Sequence, residues 1–445
     1  MKYTYLIISP VACGLYTVPR LCADKDTERV YFFLRDFKHM GNVGKGLQNI
    51  KGWEKYEFVT DPFKVIRETP KDQLIIIFDD NGLGYLADHL RADGYTVVSG
   101  GSFADTLEND RWGTVKFMQK FMNVPETEYF DSFDAGIAYL KGLDKSERFV
   151  FKPQDPEVPK DKTYVGKDIQ DLIGAMSGYK NDWKWKDGFI LQRFIEGIEA
   201  DFSAYFDGKT FLPNSFSWYF ENKPFLAGDL GPATGGEIAA VLFRPLEGEI
   251  AQILLKMQPV LQKMKYNGQL AINSIFSKED HKPYFLELSP RFGYPSLEME
   301  ITLLEDNNKS YVSLIKQLAF GAKQALFPTN KISVMANISM PPYPSDEGAQ
   351  SLITGMPVSW DSKWDTYIFP HYLMYDQKKK GFALAGYSGL AVSVTCADST
   401  LDGAVAMLVD TYIPTIRLQD KQYRNDVGKS AKERSKTLKE WGIIQ

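Results

Sequence analysis

A carboxylate, a hydroxyl and a guanidinium follow one another closely in the segment 285–296. Glu287 and Ser289 lie at the end of a short apolar run, and Arg291 comes directly after it. The run predicts a buried strand, in which alternation places Glu287 and Ser289 on one face. Such oxygens beside an arginine suit a magnesium-bound polyphosphate next to an anionic substrate. The alternative is a strand with one edge-facing glutamate and a surface arginine, because single motifs give many false positives.

Two further cationic residues, Lys152 and Arg111, occupy positions in the sequence at which a bound anion would account for their charge. Lys152 ends the apolar run Arg148–Lys152, where it either extends to solvent or holds a phosphate as a point charge. Arg111 begins a predicted amphipathic helix, with Asn109 and Asp110 as candidate caps. A cation in the first turn opposes the helix dipole unless an anion binds there. The alternative for Arg111 is a solvated surface side chain.

A glycine-rich segment, Ala227–Glu237, contains four glycines and one proline. This composition predicts a loop and argues against a helix or a central strand. Exposed backbone N–H groups in such a loop can cradle an anion. The alternative is an ordinary long turn.

Short apolar runs near the N-terminus predict the elements that would position these groups. The predicted strands are Tyr3–Ser9, Val30–Leu34, Leu74–Phe78 and Tyr95–Val98. A helix over Leu83–Arg91 completes a strand–helix–strand spacing that indicates parallel βαβ units. Because ligands bind beyond the carboxyl ends of such strands, Asp79–Gly84 is a candidate substrate loop.

Length and composition exclude several classes of function. At 445 residues the chain predicts several domains of about 100–200 residues each. Its net charge of −5 offers no basic excess for nucleic acid. Three scattered cysteines indicate a reducing compartment, and the four histidines do not cluster as a zinc site would require. Without a signal pattern or an apolar run of about 18 residues, we expect a soluble, cytoplasmic protein without a membrane partner.

Five segments, in order along the chain, resemble one known family. They are TLENDRWGTVKFMQKFMNVPETEYF at 106–130, QRFIEGIEADFS at 192–203, GDLGPATGG at 228–236, LELSPRFGYPS at 286–296 and QYRNDVGKSA at 422–431. Together they resemble the ATP-grasp ligases, specifically the glycinamide ribonucleotide synthetases (phosphoribosylamine–glycine ligases). The resemblance implies a multidomain α/β and α+β fold of ATP-grasp architecture. It implies an N-terminal parallel-sheet domain (1–105), an ATP-grasp domain (106–328) with a lid at about 125–190, and a small C-terminal α/β domain (329–445).

The resemblance also implies a reaction and its residues. ATP would phosphorylate an amino-acid carboxylate, and an amine would displace the phosphate to give an amide, as in purine biosynthesis. By position it places Arg111 and Lys152 at the nucleotide phosphates, Gln192 and Phe194 at the adenine hinge, Glu199 at the ribose, Glu287 and Ser289 at Mg²⁺ (or Mn²⁺), and Asp229, Gly231, Thr234, Gly235, Gly236 and Arg291 at the substrates. Lys152 and Arg291 are the expected catalytic groups, because phosphoryl transfer needs positioning and positive charge more than a nucleophile. The implied partners are small molecules, and the implied state is a monomer or small homo-oligomer.

Departures from the family pattern leave alternatives open. Ser289 stands where the family has a metal-binding asparagine, and Tyr294 and Ser296 replace an aspartate and a glutamate. The first loop reads SPVACGL at 9–15 and lacks the family's GGREHA, which helps to build the amine side. A different amine or amino acid, a nucleotide-binding pseudo-enzyme, and a purely structural protein therefore remain alternatives.

Overall fold

The computed structural model describes residues 1–154, 163–182, 188–321, 324–345 and 352–444. Residues 155–162 and 183–187 of the predicted lid lie outside the described residues. Within these ranges no helix is long and apolar enough to cross a membrane.

The N-terminal part forms the predicted parallel sheet. Its strands are β1 (Tyr3–Ser9), β2 (Thr27–Leu34), β3 (Tyr56–Val59), β4 (Leu74–Phe78) and β5 (Thr96–Val98), in the order β3-β2-β1-β4-β5. The helices between and after them are α1 (Val18–Ala23), α2 (Phe37–Met40), α3 (Pro62–Glu68), α4 (Gly84–Ala92) and α5 (Gly101–Asn109). The central strand β1 pairs in parallel with both β2 and β4. The carboxyl ends of these three strands therefore meet at one edge.

A second, antiparallel sheet carries two residues of the predicted nucleotide site, Lys152 and Gln192. It comprises β6 (Thr127–Phe130), β7 (Phe149–Pro153), β8 (Tyr164–Val165) and β9 (Phe189–Arg193), in the order β6-β9-β7-β8. Helices α6 (Arg111–Met118), α7 (Phe133–Lys141) and α8 (Ile169–Asp182) accompany it. Because β7 and β9 pair with Val150 opposite Gln192, Lys152 and Gln192 lie near one another on neighbouring strands.

The largest sheet has nine strands and joins the middle of the chain to its C-terminal part. Its strands are β10 (Gly197–Glu199), β11 (Asp201–Phe206), β12 (Phe216–Leu226), β13 (Leu230–Arg244), β14 (Gly268–Ser277), β15 (Pro283–Ser289), β16 (Ile332–Ser339), β17 (Ile368–Pro370) and β20 (Leu390–Asp398). The order is β10-β14-β11-β12-β13-β16-β20-β17, with β15 paired to β14. Strands β16, β20 and β17 lie beyond the predicted boundary at 328/329 but continue this sheet. The division into three domains stays a prediction.

The remaining elements cover this sheet or extend it. They are α9 (Gly248–Lys263), α10 (Ser296–Asp306), α11 (Tyr311–Phe320), the hairpin β18 (Leu373–Asp376) and β19 (Gly381–Leu384), α12 (Leu401–Met407), α13 (Ile413–Thr415) and α14 (Lys429–Glu440). One apolar core includes α9 and one face of the nine-stranded sheet. A second core joins the N-terminal sheet to the other face through α10 and α11. The site described below lies along the strands between these cores.

The glycine-rich segment differs from its sequence prediction. Only Ala227–Asp229 forms the turn, and from Leu230 onward the chain is already strand β13. It pairs with β12 through Leu226 opposite Leu230 and Pro224 opposite Ala233, with irregular register between them. The prediction of a loop throughout was wrong, because the partner strand supplies hydrogen bonds that composition does not reveal. Glycine is still required at Gly236, where φ is +142° and an added Cβ would lie 2.7 Å from Pro295 Cδ.

Candidate functional site

Lys152 is half-buried on β7, and its hydrogen-bond partners are uncharged. Its Nζ donates to Gln192 Oε1 at 2.8 Å and to the backbone oxygen of Leu286 at 3.2 Å. Gln192 is oriented in turn by donating from Nε2 to Thr127 Oγ1 at 3.1 Å. Burial lowers the pKa of Lys152 to about 8, although Glu287 acts in the opposite direction. An anion beside this ammonium would be strongly stabilising.

Arg111 starts α6, as predicted, and Asp110 caps that helix. The Asp110 carboxylate accepts from Gly113 N at 2.9 Å and from Gln154 Nε2 at 2.8 Å. The Nη1 atom of Arg111 is buried and has no hydrogen-bond partner among the described residues. Burial lowers the pKa of Arg111, and its charge in turn lowers the pKa of Lys152. The two cations therefore form one region of positive charge, which Glu287 only partly compensates.

A row of carboxylates on adjacent strands faces Lys223, a residue that sequence reasoning missed. Lys223 Nζ lies 3.0 Å from Glu221 Oε1 and 3.2 Å from Glu287 Oε1. Attraction to Glu221, which outweighs burial, raises the pKa of Lys223. Burial, with repulsion from Glu221, raises the pKa of Asp201, and burial also raises the pKa of Glu199. The single ammonium of Lys223 thus lies among four carboxylates, of which Glu221 and Asp201 are buried, so a further cation would be favourable here.

The predicted metal ligands lie on neighbouring positions of one strand pair. Glu287 is opposite Asn273 in the β14–β15 pairing. Ser289 Oγ donates to Asn273 Oδ1 at 3.4 Å, and Asn273 Nδ2 donates to Asp201 Oδ2 at 3.1 Å. Across the described ranges, no group of three or more His, Cys, Asp or Glu side chains is arranged to hold a metal ion. Any magnesium here would need phosphate and water oxygens to complete its shell.

The turn of the glycine-rich hairpin is held by the C-terminal tail. Arg424 is only 2% exposed and donates from Nη1 to Asp229 Oδ1 at 2.9 Å. It also binds Asp426, whose Oδ2 accepts from Gly228 N at 2.9 Å. The tail segment therefore packs beside the glycine-rich segment far from it in sequence, which explains why both belong to the resemblance. Gly231, in the first part of β13, has φ of +81°.

Farther along the hairpin, Thr234 and Gly235 connect it to the rest of the site. Thr234 Oγ1 donates to the backbone oxygen of Lys223 at 2.8 Å and accepts from Gly236 N at 3.1 Å. A Cβ on Gly235 would lie 3.6 Å from Tyr294 Cδ1, so this glycine lies against the tyrosine ring. The hairpin thus fixes the backbone that carries Lys223 and approaches Tyr294 closely.

A directed chain of hydrogen bonds supports the hairpin from the C-terminal part. Asn337 Nδ2 donates to the Gly236 oxygen at 2.7 Å, so Asn337 Oδ1 faces Ser393, whose Oγ donates to it at 2.7 Å. With its proton used, Ser393 Oγ must accept from His371 Nε2, 2.6 Å away. His371 Nδ1 then accepts from Tyr294 OH at 3.2 Å. This assignment gives His371 the neutral Nε2–H form, and burial lowers its pKa to about 3.

Arg291 lies apart from the lysines, between β15 and the edge of the N-terminal sheet. Its Nε is 3.0 Å from Asp80 Oδ1 and 3.2 Å from both oxygens of Glu108. Burial alone would lower the pKa of Arg291, but Glu108 and Asp80 together raise it. The sequence singled out the loop that contains Asp80, whereas Glu108 was missed because it looks like an ordinary helical glutamate.

The predicted residues therefore fall into three groups. Lys152, Arg111, Gln192 and Glu287 come together, with Glu199 beside the carboxylate row. Phe194 follows β9, where its ring packs under Arg148 with the guanidinium carbon 3.8 Å from the ring centroid. The hairpin residues form the second group and Arg291 the third.

Comparison with known proteins identifies the fold. No protein-family model matches the chain. The phosphoribosylamine–glycine ligase of Thermotoga maritima superimposes with a TM-score of 0.71 at 16% identity, covering 95% of this chain and all of that one. The biotin carboxylase domain of a 2-oxoglutarate carboxylase from Hydrogenobacter thermophilus, solved with MgADP and bicarbonate, gives 0.63 at 10% identity over 100% and 96% of the chains. The protein has the multidomain ATP-grasp fold, with helices packed on one parallel sheet and several antiparallel sheets.

Sequence comparison shows which proteins with this fold the chain is similar to. The phosphoribosylamine–glycine ligase of Pyrococcus abyssi is 24% identical over 79% of this chain and 80% of its own length. That of Neisseria meningitidis serogroup B is 27% identical, and here the match spans 48% of this chain and only 52%, about half, of the relative. The chain is a diverged relative of the phosphoribosylamine–glycine ligases.

Proposed function

We propose that this protein is an ATP-dependent carboxylate–amine ligase that forms an amide and releases ADP. The observation that carries the proposal is the pair of half-buried cations, Lys152 and Arg111. Lys152 has only uncharged hydrogen-bond partners, and Arg111 leaves a buried nitrogen unpaired within the described residues. Half-buried cations without a carboxylate hydrogen-bond partner favour a bound anion, and a nucleotide polyphosphate fits their charge.

The nucleotide would extend from these cations along the strands. Gln192, which Thr127 and Lys152 orient, and Phe194 would lie at the adenine, with Glu199 at the ribose. Mg²⁺ fits the oxygen donors Glu287 and Ser289, and when bound it would neutralise phosphate charge. The excess of buried carboxylates around Lys223 supports a cation at this position.

The chemistry balances without a protein nucleophile. A carboxylate oxygen of the acid substrate attacks the γ-phosphorus of ATP, the bond to the β-phosphate oxygen breaks, and ADP leaves. The amine nitrogen then attacks the carbonyl carbon of the acyl phosphate. A C–N bond forms, the C–O bond to phosphate breaks, and phosphate and one proton are released. Lys152 and Lys223 would stabilise negative charge on the transferred group.

The substrates would meet between the hairpin and Arg291. Residues 229–236 of the hairpin would surround the acid, with Thr234 fixing the backbone of Lys223. Arg291 would face the reacting carbonyl from the side of the N-terminal sheet. The particular acid and amine are proposed by analogy with the relatives to be glycine and an amine of purine biosynthesis, in the cytoplasm.

The test is ADP release from Mg-ATP with glycine present, with and without phosphoribosylamine generated in place. Glu287→Gln should lower turnover about 100-fold or more, because a neutral amide is a poorer ligand for the Mg²⁺ that would position the phosphates. Glu279→Gln, on the exposed turn between β14 and β15, is the matched control. Wild-type turnover in Glu287→Gln would remove Glu287 from the site. ATP binding without turnover on any of a panel of amino acids would favour the pseudo-enzyme instead.

A further inference from the structure

A cavity of about 310 Å³ lies on the face of the nine-stranded sheet that is opposite to the carboxylate row. On β12, Phe220 lines this cavity, whereas the next residue, Glu221, contacts Lys223 in the candidate functional site. Successive side chains of a strand point to opposite faces, so the cavity is separate from that site. Its volume is at the lower end of the range of about 300–1,000 Å³ that small-molecule sites have. It is therefore large enough for a small organic molecule.

The floor of the cavity is apolar. Four buried residues line it, namely Phe220, Leu242, Ala431 and Ile444. Leu242 lies opposite Ile332 in the β13–β16 pairing, so the sheet forms one wall. Helix α14, which carries Ala431, forms the wall that faces it. A ligand in this cavity would remove apolar surface from water, which favours binding.

Three cationic side chains line the cavity beside this apolar floor. Arg244 ends β13, Lys331 immediately precedes β16, and Lys439 is exposed in the last turn of α14. None of the lining residues in the described part of the chain is acidic. The lining therefore combines a buried apolar surface with positive charge from three different elements.

Two acids lie next to the cavity without lining it. Asp306 pairs with Lys331. Asp398 lies opposite Ile332 on β20, and its Oδ1 accepts from the backbone N and the hydroxyl of Thr400 at 2.8 and 3.0 Å. Three cations beside two acids leave a positive balance, and the acid opposite Ile332 is held by the loop that follows its own strand.

The environment of Arg244 adds to this balance. Its Nη1 donates to the backbone oxygens of Phe243 and Thr329 at 2.8 Å each, and burial lowers its pKa. Contacts with carbonyl oxygens orient the guanidinium but do not neutralise it. An anionic group beside Arg244 would favour its charged form.

We propose that this cavity binds a small organic anion that has an apolar body and one acidic head group. The apolar body lies on the buried floor, and the head group lies among Arg244, Lys331 and Lys439. Apolar burial supplies affinity, and the cations select a negatively charged ligand. A bare inorganic anion would leave the floor uncovered. This proposal does not depend on the proposed ligase function.

The experiment uses two fluorescent probes with the same apolar body, 8-anilinonaphthalene-1-sulfonate and N-phenyl-1-naphthylamine. They differ by the sulfonate, and both emit more strongly in an apolar site. Each is titrated into the full chain in the presence of Mg-ADP, so that the proposed nucleotide site is not open to the probe. We expect saturable binding of the sulfonate probe.

Charge reversal at the cavity tests the role of the cations. Lys439→Glu should weaken the sulfonate probe about 10-fold or more, because like charges then meet, and should leave the neutral probe within about twofold. Lys436→Glu makes the same change on the same helix, at a side chain that is 78% exposed and lies outside the cavity lining. It should leave both affinities within about twofold, because solvent and salt screen an exposed charge.

Filling the cavity tests its apolar floor. Ser435 lines the cavity from α14, and Ser435→Phe should weaken both probes about 10-fold or more because the ring occupies their space. The proposal is overturned by the absence of saturable binding of the sulfonate probe, or by equal affinities for it in Lys439→Glu and Lys436→Glu. It is also overturned if Lys439→Glu weakens both probes alike. If Ser435→Phe does not fold, the two lysine variants, both at exposed positions, still decide.

Discussion

Lys152 and Arg291 are both half-buried cations on the two sides of the candidate site, yet their surroundings are opposite. Lys152 donates to an amide and a backbone carbonyl, and Arg111 beside it leaves a buried nitrogen without a hydrogen-bond partner among the described residues. Arg291 is bound by two carboxylates. Burial therefore lowers the pKa of Lys152 to about 8, whereas Glu108 and Asp80 overcome burial and raise the pKa of Arg291.

Under the proposed function, this difference would separate two parts of the site: the surroundings of Lys152 and Arg111, called here the nucleotide end, and those of Arg291, called here the acceptor end. At the nucleotide end, Lys152 donates only to uncharged groups and Arg111 Nη1 has no hydrogen-bond partner among the described residues. This arrangement suits a polyphosphate and the negative charge of phosphoryl transfer. At the acceptor end, two carboxylates already neutralise the guanidinium of Arg291.

The largest effect should come from removing charge at the nucleotide end. Lys152→Met keeps the length of the side chain but loses the ammonium, and we expect ADP release to fall by about 100–1,000-fold because a preorganised charge on the phosphates is lost. Lys120→Met, at an exposed position after α6, is the control. Arg291→Met should leave binding of a fluorescent ATP analogue within about twofold. Comparable loss of ATP binding in the Lys152 and Arg291 variants would show that Arg291 contributes to nucleotide binding as much as Lys152 does.

The pH dependence of ATP binding tests the role of Lys152 at the nucleotide end without replacing any side chain. The free protein holds Lys152 with a pKa of about 8, and bound phosphate raises that pKa because it favours the charged form. ATP binding therefore takes up a proton above pH 8. We expect affinity to be level below pH 8 and to fall as pH rises from 8 toward 10, by up to about 10-fold per pH unit.

Lys152→Arg is the matched control for this titration, because arginine stays protonated throughout the range. Its ATP affinity, whatever its absolute value, should not change between pH 8 and 10. Calorimetry in buffers of different ionisation enthalpy counts the protons taken up at pH 9. Zero uptake by the wild-type chain would mean that Lys152 is already fully charged before the nucleotide binds.

Local sequence pattern was sufficient for the elements that carry the nucleotide end. The apolar run before Lys152 and the cap at Asp110 are both properties of neighbouring residues, and the structure confirms β7 and α6 close to their predicted bounds. The parallel N-terminal sheet followed from its strand–helix spacing in the same way. The functional roles of the residues on these elements stay predictions.

The rest depends on contacts between distant parts of the chain. Leu230–Glu237 is a strand because β12 pairs with it, and the prediction of a loop considered only its own glycines. Arg424 reaches Asp229 from almost 200 residues away, at a sequence separation of 195. Glu108 and Lys223 have ordinary local surroundings, so their place in the site appears only when the strands are assembled. Charge balance at a site is a property of the fold.

The smallest effect concerns the hydrogen-bond chain that links the hairpin to the C-terminal part. Ser393→Ala removes the hydroxyl between His371 and Asn337, and we expect it to lower the free energy of unfolding by about 1–2 kcal/mol because buried partners lose a hydrogen bond. Ser333→Ala on neighbouring β16 is the control. Its hydroxyl is equally buried and has no hydrogen-bond partner within the described part of the chain, so we expect a change within about 0.5 kcal/mol. Urea unfolding measures both.

The kinetic consequence of Ser393→Ala should fall on one end of the site only. The hydrogen-bond chain ends at Gly236 and Tyr294, on the hairpin proposed to bind the acid and on the turn beside it. The KM for the acid should therefore rise a few-fold while the KM for ATP stays the same. In wild-type protein, the nitrogen resonances of His371 should report a neutral Nε2–H imidazole from pH 5 to 9. A His371 that titrates in this range would contradict the assigned directions of the hydrogen bonds. An equal rise in both KM values would show that the C-terminal part supports the nucleotide end and the acceptor end alike.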